Sequence, residues 1–546
     1  MTVAIVVALP LLLAAGALIG GRAGVVAWRT VPWAPLAFLL PLAARESVAW
    51  SWSLLGLGLG VDDLTAPFVV LTAIAWSLAG WFAQSTIAAR ERTFWLGWSL
   101  SLAGMTLLLL ALTLTTFYLG YVVLSLSAYL MIVRARDAAA LRAGRIYLIM
   151  ALAGEAAILS GVLLVAGGHA SIDVALATLA NPNPVAVPGA ATALLLVGFA
   201  VKLGIVPLHV WLPLAHPIAP VPASAILSGV IVKAGLLGWL RMAPPQGLEP
   251  SAVGSVLLVA GFATAFAGVL LGLTQRKLKT VLAYSTISQM GLVLAAFSTL
   301  YLAPSEWPRV VPVLGLIALH HGLNKAALFL ACGNAPGATR RRRLLLALPA
   351  LSLAAAPLTT GYLAKEWLKR GIVATDALAG ADVLLALTSA ATALLMWRVW
   401  RLATGERDTA TAAHPAWALL TVAALIVPWA WAAFAGLLVV PSTTTAWAAA
   451  WPLLLAGGIV LAALRLQLRG LGLPEGDVVV LVERLLGSVR GGGRPTTVVE
   501  RLRGRRIGPR PAAIVATLER RLAEVSIAGL TMLVVGGLLW LALWLW

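Results

Sequence analysis

Cysteine occurs once in the 546 residues, at Cys332. That excludes an internal disulfide framework and any four-cysteine metal or iron–sulfur site. Charge is scarce as well: 11% of the residues are Asp, Glu, Lys or Arg, against 61% hydrophobic. No His, Cys, Asp or Glu cluster has metal-ligand spacing, and there is no phosphate-cradling glycine loop or nucleophile–base set. Redox cofactors, metals and a self-contained catalytic site are therefore not expected on this chain. The first apolar run, MTVAIVVALPLLLAAGALIGGRAG, has no basic residue before it and no small-residue cleavage site after it. It reads as a retained helix rather than a removed signal.

What the chain has in abundance is long apolar runs. Mean hydropathy is +0.97, and stretches of about 20 apolar residues, the length that spans a bilayer as a helix, recur from end to end. The expected fold class is an all-α polytopic membrane protein of about sixteen spans, among them 31–44, 190–214, 344–368 and a last one at 525–546. The net charge of +19 follows topology rather than nucleic-acid binding. Lys and Arg gather in odd-numbered connections (Arg22 and Arg29; Arg90 and Arg92; Arg134 to Arg145; Arg276, Lys277 and Lys279; Arg340 to Arg343; Arg398 to Arg407). Even-numbered ones such as GGHASIDVALATLANPNPVAVPG are poorer, with Lys369 and Arg370 the exception. By the positive-inside rule the odd connections face the cytoplasm and both termini face outward, in a cell (inner) membrane.

The spans group into units. Helices 1–3 occupy 1–93; blocks 94–240 and 252–400 hold five spans each; two more spans fill 401–464, a basic connector 465–524, and the last span 525–546. Five is odd, so the second block starts from the opposite membrane face, an inverted repeat. The fourth span of each block carries a proline, Pro207 and Pro357, and both are expected to be broken helices. Ionisable residues fall in these same spans. A lysine at mid-bilayer costs about 2.5–3.5 kcal/mol on insertion scales unless it faces water, a partner or the bundle interior. The candidates are Glu155 in the sixth span, Lys202 in the seventh, Lys233 in the eighth, His320, His321 and Lys325 in the eleventh, and Lys365 with Glu366 in the twelfth. Broken helices free backbone groups that call for water, so polar side chains and breaks favour one hydrated seam along which protons can pass. His321 and Lys325, four apart, share a helix face. Neighbours on a helix diverge by about 100°, so at most one of His320 and His321 faces the seam. His209 either satisfies a freed carbonyl or carries protons. Lys365 and Glu366 either end the path or snorkel to the interface.

VKLGIVPLHVWLPLAHPIAPVPASAILSGVIVKAG, LKTVLAYSTISQMG and ALHHGLNKAALFLACG, in this order, resemble the signature segments of the antiporter-like membrane subunits of respiratory complex I, membrane-bound hydrogenases and multi-subunit cation/proton antiporters. The resemblance runs over roughly 60–400, with VDDLT at 61–65 leading into the third helix. It implies fourteen or more helices with two inverted five-helix halves and a role in moving protons. It matches Lys202 to the lysine of the broken seventh helix, Lys233 to an eighth-helix lysine, His321 and Lys325 to the eleventh-helix pair, and Lys365 to a twelfth-helix terminal residue. One departure stands out. The family's fifth-helix glutamate, partner of the seventh-helix lysine, aligns with Val122 in FYLGYVVLSLSAY, and Glu155 is the nearest intramembrane substitute.

The connector 465–524 holds 12 Arg and 6 acidic residues, with amphipathic patches DVVVLVERLLGSV and AAIVATLERRLAEV around a Gly/Arg/Pro-rich centre. Glycine and proline argue against one continuous helix there; the segment grips a neighbouring subunit or anionic headgroups, or is a solvated connector. Its cytoplasmic placement and the span after it resemble the distal (L-type) branch. The expected function is a proton-translocating subunit of a complex I-like or hydrogenase-like respiratory assembly, with other membrane subunits, lipid and a cytoplasmic soluble protein as partners and no nucleic acid. The alternatives are a subunit of a multi-subunit Na+/H+ antiporter, or a membrane energy-coupling partner of a soluble enzyme such as an inorganic-carbon uptake system.

Overall fold

The computed structural model describes residues 2–50, 57–167, 176, 188–243, 250–334, 337, 339–405, 413–467 and 480. Among them, twelve helices are long and apolar enough to cross a membrane, or thirteen if one bent pair counts as a single span. The chain is a mostly helical, multi-pass membrane protein. The connector expected at 465–524 lies, beyond Gln467 and apart from residue 480, outside the described residues, as does the span expected at 525–546.

The amino-terminal helices α1 (Thr2–Ile19) and α2 (Gly21–Thr30) lead into a short 3-10 turn (Ala34–Phe38) and α3 (Leu39–Ala44). The second span therefore begins ten residues earlier than the apolar run at 31–44 suggests, and Arg22 and Arg29 lie on a helix instead of in a connection. It bends by 59° between Thr30 and Ala34, where Pro32 and Pro35 withhold backbone donors.

A second departure from the sequence reading is a small sheet. Strands β1 (Ser47–Trp50) and β2 (Leu57–Gly60) pair antiparallel, Ser47 opposite Gly60. They close over the turn between α5 (Arg92–Leu110) and α6 (Leu114–Ile132). Gly58 accepts from Leu112 N at 2.9 Å and donates to Thr116 Oγ1 at 3.1 Å. A Cβ at Gly58 would stand 2.8 Å from Thr113 Cγ2, so glycine is what lets the strand reach these groups. Asp62 then starts α4 (Ala66–Thr86) by accepting from Thr65 N at 3.0 Å, and it pairs with Arg241 at 2.5 Å.

The chain continues through α7 (Ala138–Ala166) to a broken span made of α8 (Gly189–Leu203) and α9 (Trp211–Ile218). Val221–Met242 forms one span built from α10 (Val221–Ile226), a π-helical turn (Leu227–Ile231) and α11 (Lys233–Met242). Next come α12 (Pro250–Leu273), α13 (Leu278–Leu302) and α14 (Trp307–Ala331), followed by a second broken span, α15 (Arg340–Leu353) with α16 (Thr360–Ala374). Helices α17 (Ala381–Gly405), α18 (Pro415–Phe434) and α19 (Thr443–Arg465) follow.

Burial sorts these helices into shells. The most apolar stretches of Val221–Met242, of α13 and of the span ending in α14 are wholly enclosed by protein, whereas only 11% of that of α19 is. Lys233, His320, His321 and Lys325 all lie on the enclosed spans, so their charges face protein and not lipid.

Apolar burial does not drive helices together in lipid, so close backbone packing through small residues carries the association. The pairs α5–α6 and α12–α13 both use it. A Cβ at Gly120 would meet Leu108 N at 2.6 Å and one at Gly104 would overlap Leu124 N; one at Gly261 would meet Ala295 N at 2.7 Å and one at Gly268 Ser288 N at 2.6 Å.

Two outcomes follow from this packing and capping. Gly104→Val should cost about 1–3 kcal/mol by overpacking and lower the thermal unfolding midpoint in detergent, while Gly457→Val, with open space around it, should leave the midpoint unchanged. His414 caps α18 by accepting from Ala416 N at 3.2 Å, which requires a neutral ring nitrogen, and burial holds its imidazole below the ordinary histidine range. The folded state thus binds fewer protons than the unfolded one. The cap's contribution is present above about pH 6.5 and is lost as pH falls from there toward the lowered value. Amide exchange at Ala416 and Trp417, corrected for intrinsic rate, should accelerate on acidification, and His414→Asn should remove that dependence.

Candidate functional site

The first break begins where α8 ends. Gly204 takes the left-handed conformation (φ +71°), and a Cβ there would overlap Leu212. Pro207 lies in the break. The freed backbone finds specific partners: Trp211 Nε1 donates to Val201 O at 2.8 Å and Val206 N to Thr264 Oγ1 at 3.3 Å. His209 is buried beside Tyr284, ring centroids 6.4 Å apart.

Lys202 sits in the last turn of α8, only 4% exposed, and points inward. Its Nζ donates to Ser125 Oγ on α6 at 2.5 Å and lies 5.1 Å from the Tyr121 ring centroid and 5.8 Å from that of Tyr147. Glu155, on α7 and 5% exposed, is the acid in this group. It interacts electrostatically with Lys202, and its Oε1 is buried with no hydrogen-bond partner among the described residues. Val122 lies one turn before Ser125 on α6. Beside Lys202 is a small cavity of about 10 Å³, lined by Tyr121, Tyr147, Gly154, Gly198 and Trp211 among others.

The second group is built on the π-helical turn. Such a turn displaces one carbonyl from the regular ladder: Ser228 O accepts from Lys233 Nζ at 2.6 Å, and the same Nζ lies 2.6 Å from His321 Nδ1 on α14. Backbone proximity allows this contact. A Cβ at Gly229 would stand 2.9 Å from Gly322 O, and one at Gly322 would stand 2.6 Å from Gly229 O. Lys325, one turn beyond His321, donates to Leu282 O of α13 at 2.6 Å, with its Nζ 5.7 Å from the Phe329 ring centroid.

His320 and His321 are both buried and diverge as neighbours on a helix must. His320 Nδ1 lies 2.8 Å from Thr360 Oγ1, at the start of α16, and Thr360 in turn lies 3.2 Å from Ser352 Oγ at the end of α15. The second break, which contains Pro357, is thereby tied to α14. Gly361 makes room for it, since a Cβ there would overlap Ser352 O. Lys365 does not snorkel: its Nζ donates to Thr388 Oγ1 at 3.0 Å and Ser389 Oγ at 2.6 Å on α17. Glu366 pairs instead with Arg370 at 3.1 Å. Both Lys365 and Glu366 line a cavity of about 280 Å³ together with Lys369, Asp382 and Thr445.

Two residues that hydropathy and spacing did not single out belong to this interior. His216 on α9 is fully buried, stacks on Phe329 at 4.6 Å, and neither of its ring nitrogens has a hydrogen-bond partner among the described residues. The charges acting on it are those of Lys325 and Lys279. Lys279, read from sequence as part of a basic connection, bends inward to donate to Ala219 O at 2.5 Å and His216 O at 3.3 Å, holding the carboxyl end of α9. The signal for His216 is an imidazole within an apolar half-helix, seven residues after His209.

The fold thus gathers two groups. Glu155, Ser125 and Lys202 form one. Lys233, His321, Lys325 and His216 form the other, which extends by His320 and Thr360 toward Lys365; Lys233 and Lys365 both act electrostatically on His320. Between the groups, α8 and α11 meet through Leu203 against Gly235 and the Phe199 ring against Gly238. Among the described residues no three His, Cys, Asp or Glu side chains come together as a metal-ligand set.

Comparison with known proteins places this arrangement. Hydrogenase-4 component B of Escherichia coli (strain K12) is 34% identical over 244 residues, 42% of this chain and 36% of that protein. NAD(P)H-quinone oxidoreductase chain 4 1 of Synechococcus sp. (strain JA-3-3Ab) is 33% identical over 307 residues, 54% of this chain and 55% of that one. The chain therefore matches about a third to a half of the length of these relatives. It shares its fold with a chain in the structure of the Mrp complex from Dietzia sp. DQ12-45-1b, with a TM-score of 0.64 at 21% identity over 82% of this chain and 97% of the other. The family model described as NADH:quinone oxidoreductase/Mrp antiporter, TM matches residues 111–394, more than half the chain and every ionisable residue of the two groups, and the chain belongs to that family.

Proposed function

We propose that the chain is a proton-translocating membrane subunit of a complex I-like or hydrogenase-like respiratory assembly. It sits in a cell's inner membrane with both termini outward, works beside other membrane subunits, and carries no redox cofactor of its own. The observation that carries this reading is the Lys233–His321 contact, 2.6 Å long and wholly buried, continued on one side by Lys325 and His216 and on the other by His320, Thr360 and Lys365. An imidazole placed between two amines can accept a proton from one and release it toward the other. Two cations so close repel, so a charge arriving at one favours departure from the next.

In this reading protons enter from the cytoplasmic side near Lys202 and Lys233 and cross laterally through His321 and Lys325. They leave through the cavity that holds Lys365, Glu366 and Asp382. Blocks 94–240 and 252–400 act as the two inverted halves; the paired glycine-packed openings α5–α6 and α12–α13, and a break in the fourth span of each block, support that division. Glu155 takes the place of the carboxylate missing at Val122. The likeness to an Mrp complex supports a second reading, a subunit of a cation/proton antiporter, which differs in requiring sodium and no electron donor.

Inverted membrane vesicles holding the native assembly test the first reading. Donor-driven, sodium-independent proton uptake is expected, and Lys202→Ala, Lys325→Ala and Glu155→Gln should each reduce it about a hundredfold while the chain still inserts. Wild-type uptake in all three would remove the reading, and uptake that depends on sodium and not on a donor would replace it with the second. Separately, His321→Ala takes one acceptor from the Lys233 ammonium and should cost about 1–3 kcal/mol, read as a lower unfolding midpoint in detergent; His321→Asn, which keeps an acceptor, should recover most of it.

A further inference from the structure

We infer that Asn324 is a positioning residue that fixes the tautomer of His320, keeping Nδ1 bare and the ring proton on Nε2; its bearing on transport rests on the proposed reading of His320 as a step toward Lys365. Asparagine is a weak helix former whose amide competes for backbone groups, yet Asn324 lies in the interior of α14, fully buried. Its Nδ2 is 2.7 Å from His320 O, one turn back, and 3.2 Å from His320 Nδ1. The first contact decides which end of the amide faces the ring: a carbonyl oxygen only accepts, so the amide atom beside it is the NH2 group. The second contact then decides the ring. An NH2 group only donates, so Nδ1 accepts, and the neutral imidazole holds its one proton on Nε2.

Thr360 completes the arrangement from α16. Its Oγ1 is 2.8 Å from the same Nδ1 and 3.2 Å from Ser352 Oγ; with Nδ1 an acceptor, the Thr360 hydroxyl donates to it beside Asn324 and accepts from Ser352. The other end of the amide, Asn324 Oδ1, is buried with no hydrogen-bond partner among the described residues, so the amide serves this place through its donor end. A neutral ring with its proton on Nε2 takes a further proton only at Nδ1. Of the two donors there, the hydroxyl can hand one over and the amide cannot, which makes Thr360 the entry to His320. The neighbouring ring is set differently. His321 Nδ1 faces Lys233 Nζ at 2.6 Å, an amine that donates when charged and accepts when neutral, so the tautomer of His321 follows the charge of Lys233 while that of His320 is held.

The test reads the ring nitrogens directly, by solid-state nitrogen-15 NMR of the full-length chain in lipid at neutral pH with labelled histidine, the His320 signals being identified by their loss in His320→Gln. Wild-type His320 should show a bare Nδ1 and a protonated Nε2. Thr360→Val should keep that tautomer, because Asn324 still donates, whereas Asn324→Leu, of similar volume and without a donor, should bring in a second population with the proton on Nδ1. A wild-type ring protonated on Nδ1, or a single unchanged tautomer in Asn324→Leu, would overturn the inference; if Asn324→Leu does not fold, Asn324→Ala is read against the same criterion. In vesicles Asn324→Leu should lower proton uptake about a hundredfold, and unchanged uptake with a shifted tautomer would take the residue out of the transport path. Should the wild-type vesicles take up no protons at all, the proposed function falls while the NMR signals still decide the tautomer.

Discussion

A side chain that can carry charge inside hydrocarbon must be given a polar partner, and that requirement organises the interior of this protein. Left alone, each buried ammonium would cost several kcal/mol. Each of the four on the membrane seam is met differently: Lys202 by a serine hydroxyl, Lys233 by a carbonyl from a π-helical turn and an imidazole, Lys325 by a carbonyl of the neighbouring helix, and Lys365 by two hydroxyls. The Lys233 carbonyl comes from irregular backbone, displaced from the ladder by the π-helical turn, whereas Lys325 uses Leu282 O inside the regular helix α13 and Lys202 and Lys365 use hydroxyls carried on regular helices.

Glycine makes that irregularity compatible with dense packing. Gly229 and Gly322 bring the π-helical turn against α14 closely enough for Lys233 to reach His321, and Gly361 lets the Ser352 carbonyl crowd the start of α16 beside His320. With any side chain at these positions the helices would separate by an amount comparable to a hydrogen bond's tolerance, and the polar contacts would open. The inner helices are enclosed on all sides, so the interior charges see one another through protein of low polarity instead of through water, which lengthens the range of their interaction.

The two charge groups differ in kind. On the Lys202 side an acid and a base act on each other, Glu155 from α7 and Lys202 from α8. On the Lys233 side there are bases only, and a proton there is opposed by its neighbours. Between them Leu203 packs against Gly235 and the Phe199 ring against Gly238. Position 122 on α6 is a valine, and the acid beside Lys202 is Glu155 on α7.

Sequence alone determined the membrane-spanning class, most span positions to within a few residues, both helix breaks and the ionisable residues inside the spans. These are legible because hydropathy, proline and intramembrane charge are one-dimensional signals whose cost in lipid is large whatever the neighbours are. The second span's true start, the β hairpin over the α5–α6 turn, and the inward reach of His216 and Lys279 were not legible, because each depends on contacts between residues far apart in the chain. Partner choice belongs to the same class. That Lys233 meets His321, that His320 turns instead to Thr360, and that Lys202 meets Ser125 were decided only when helices packed to within a glycine's width, since a hydrogen bond is made or lost over distances that no spacing along a sequence encodes.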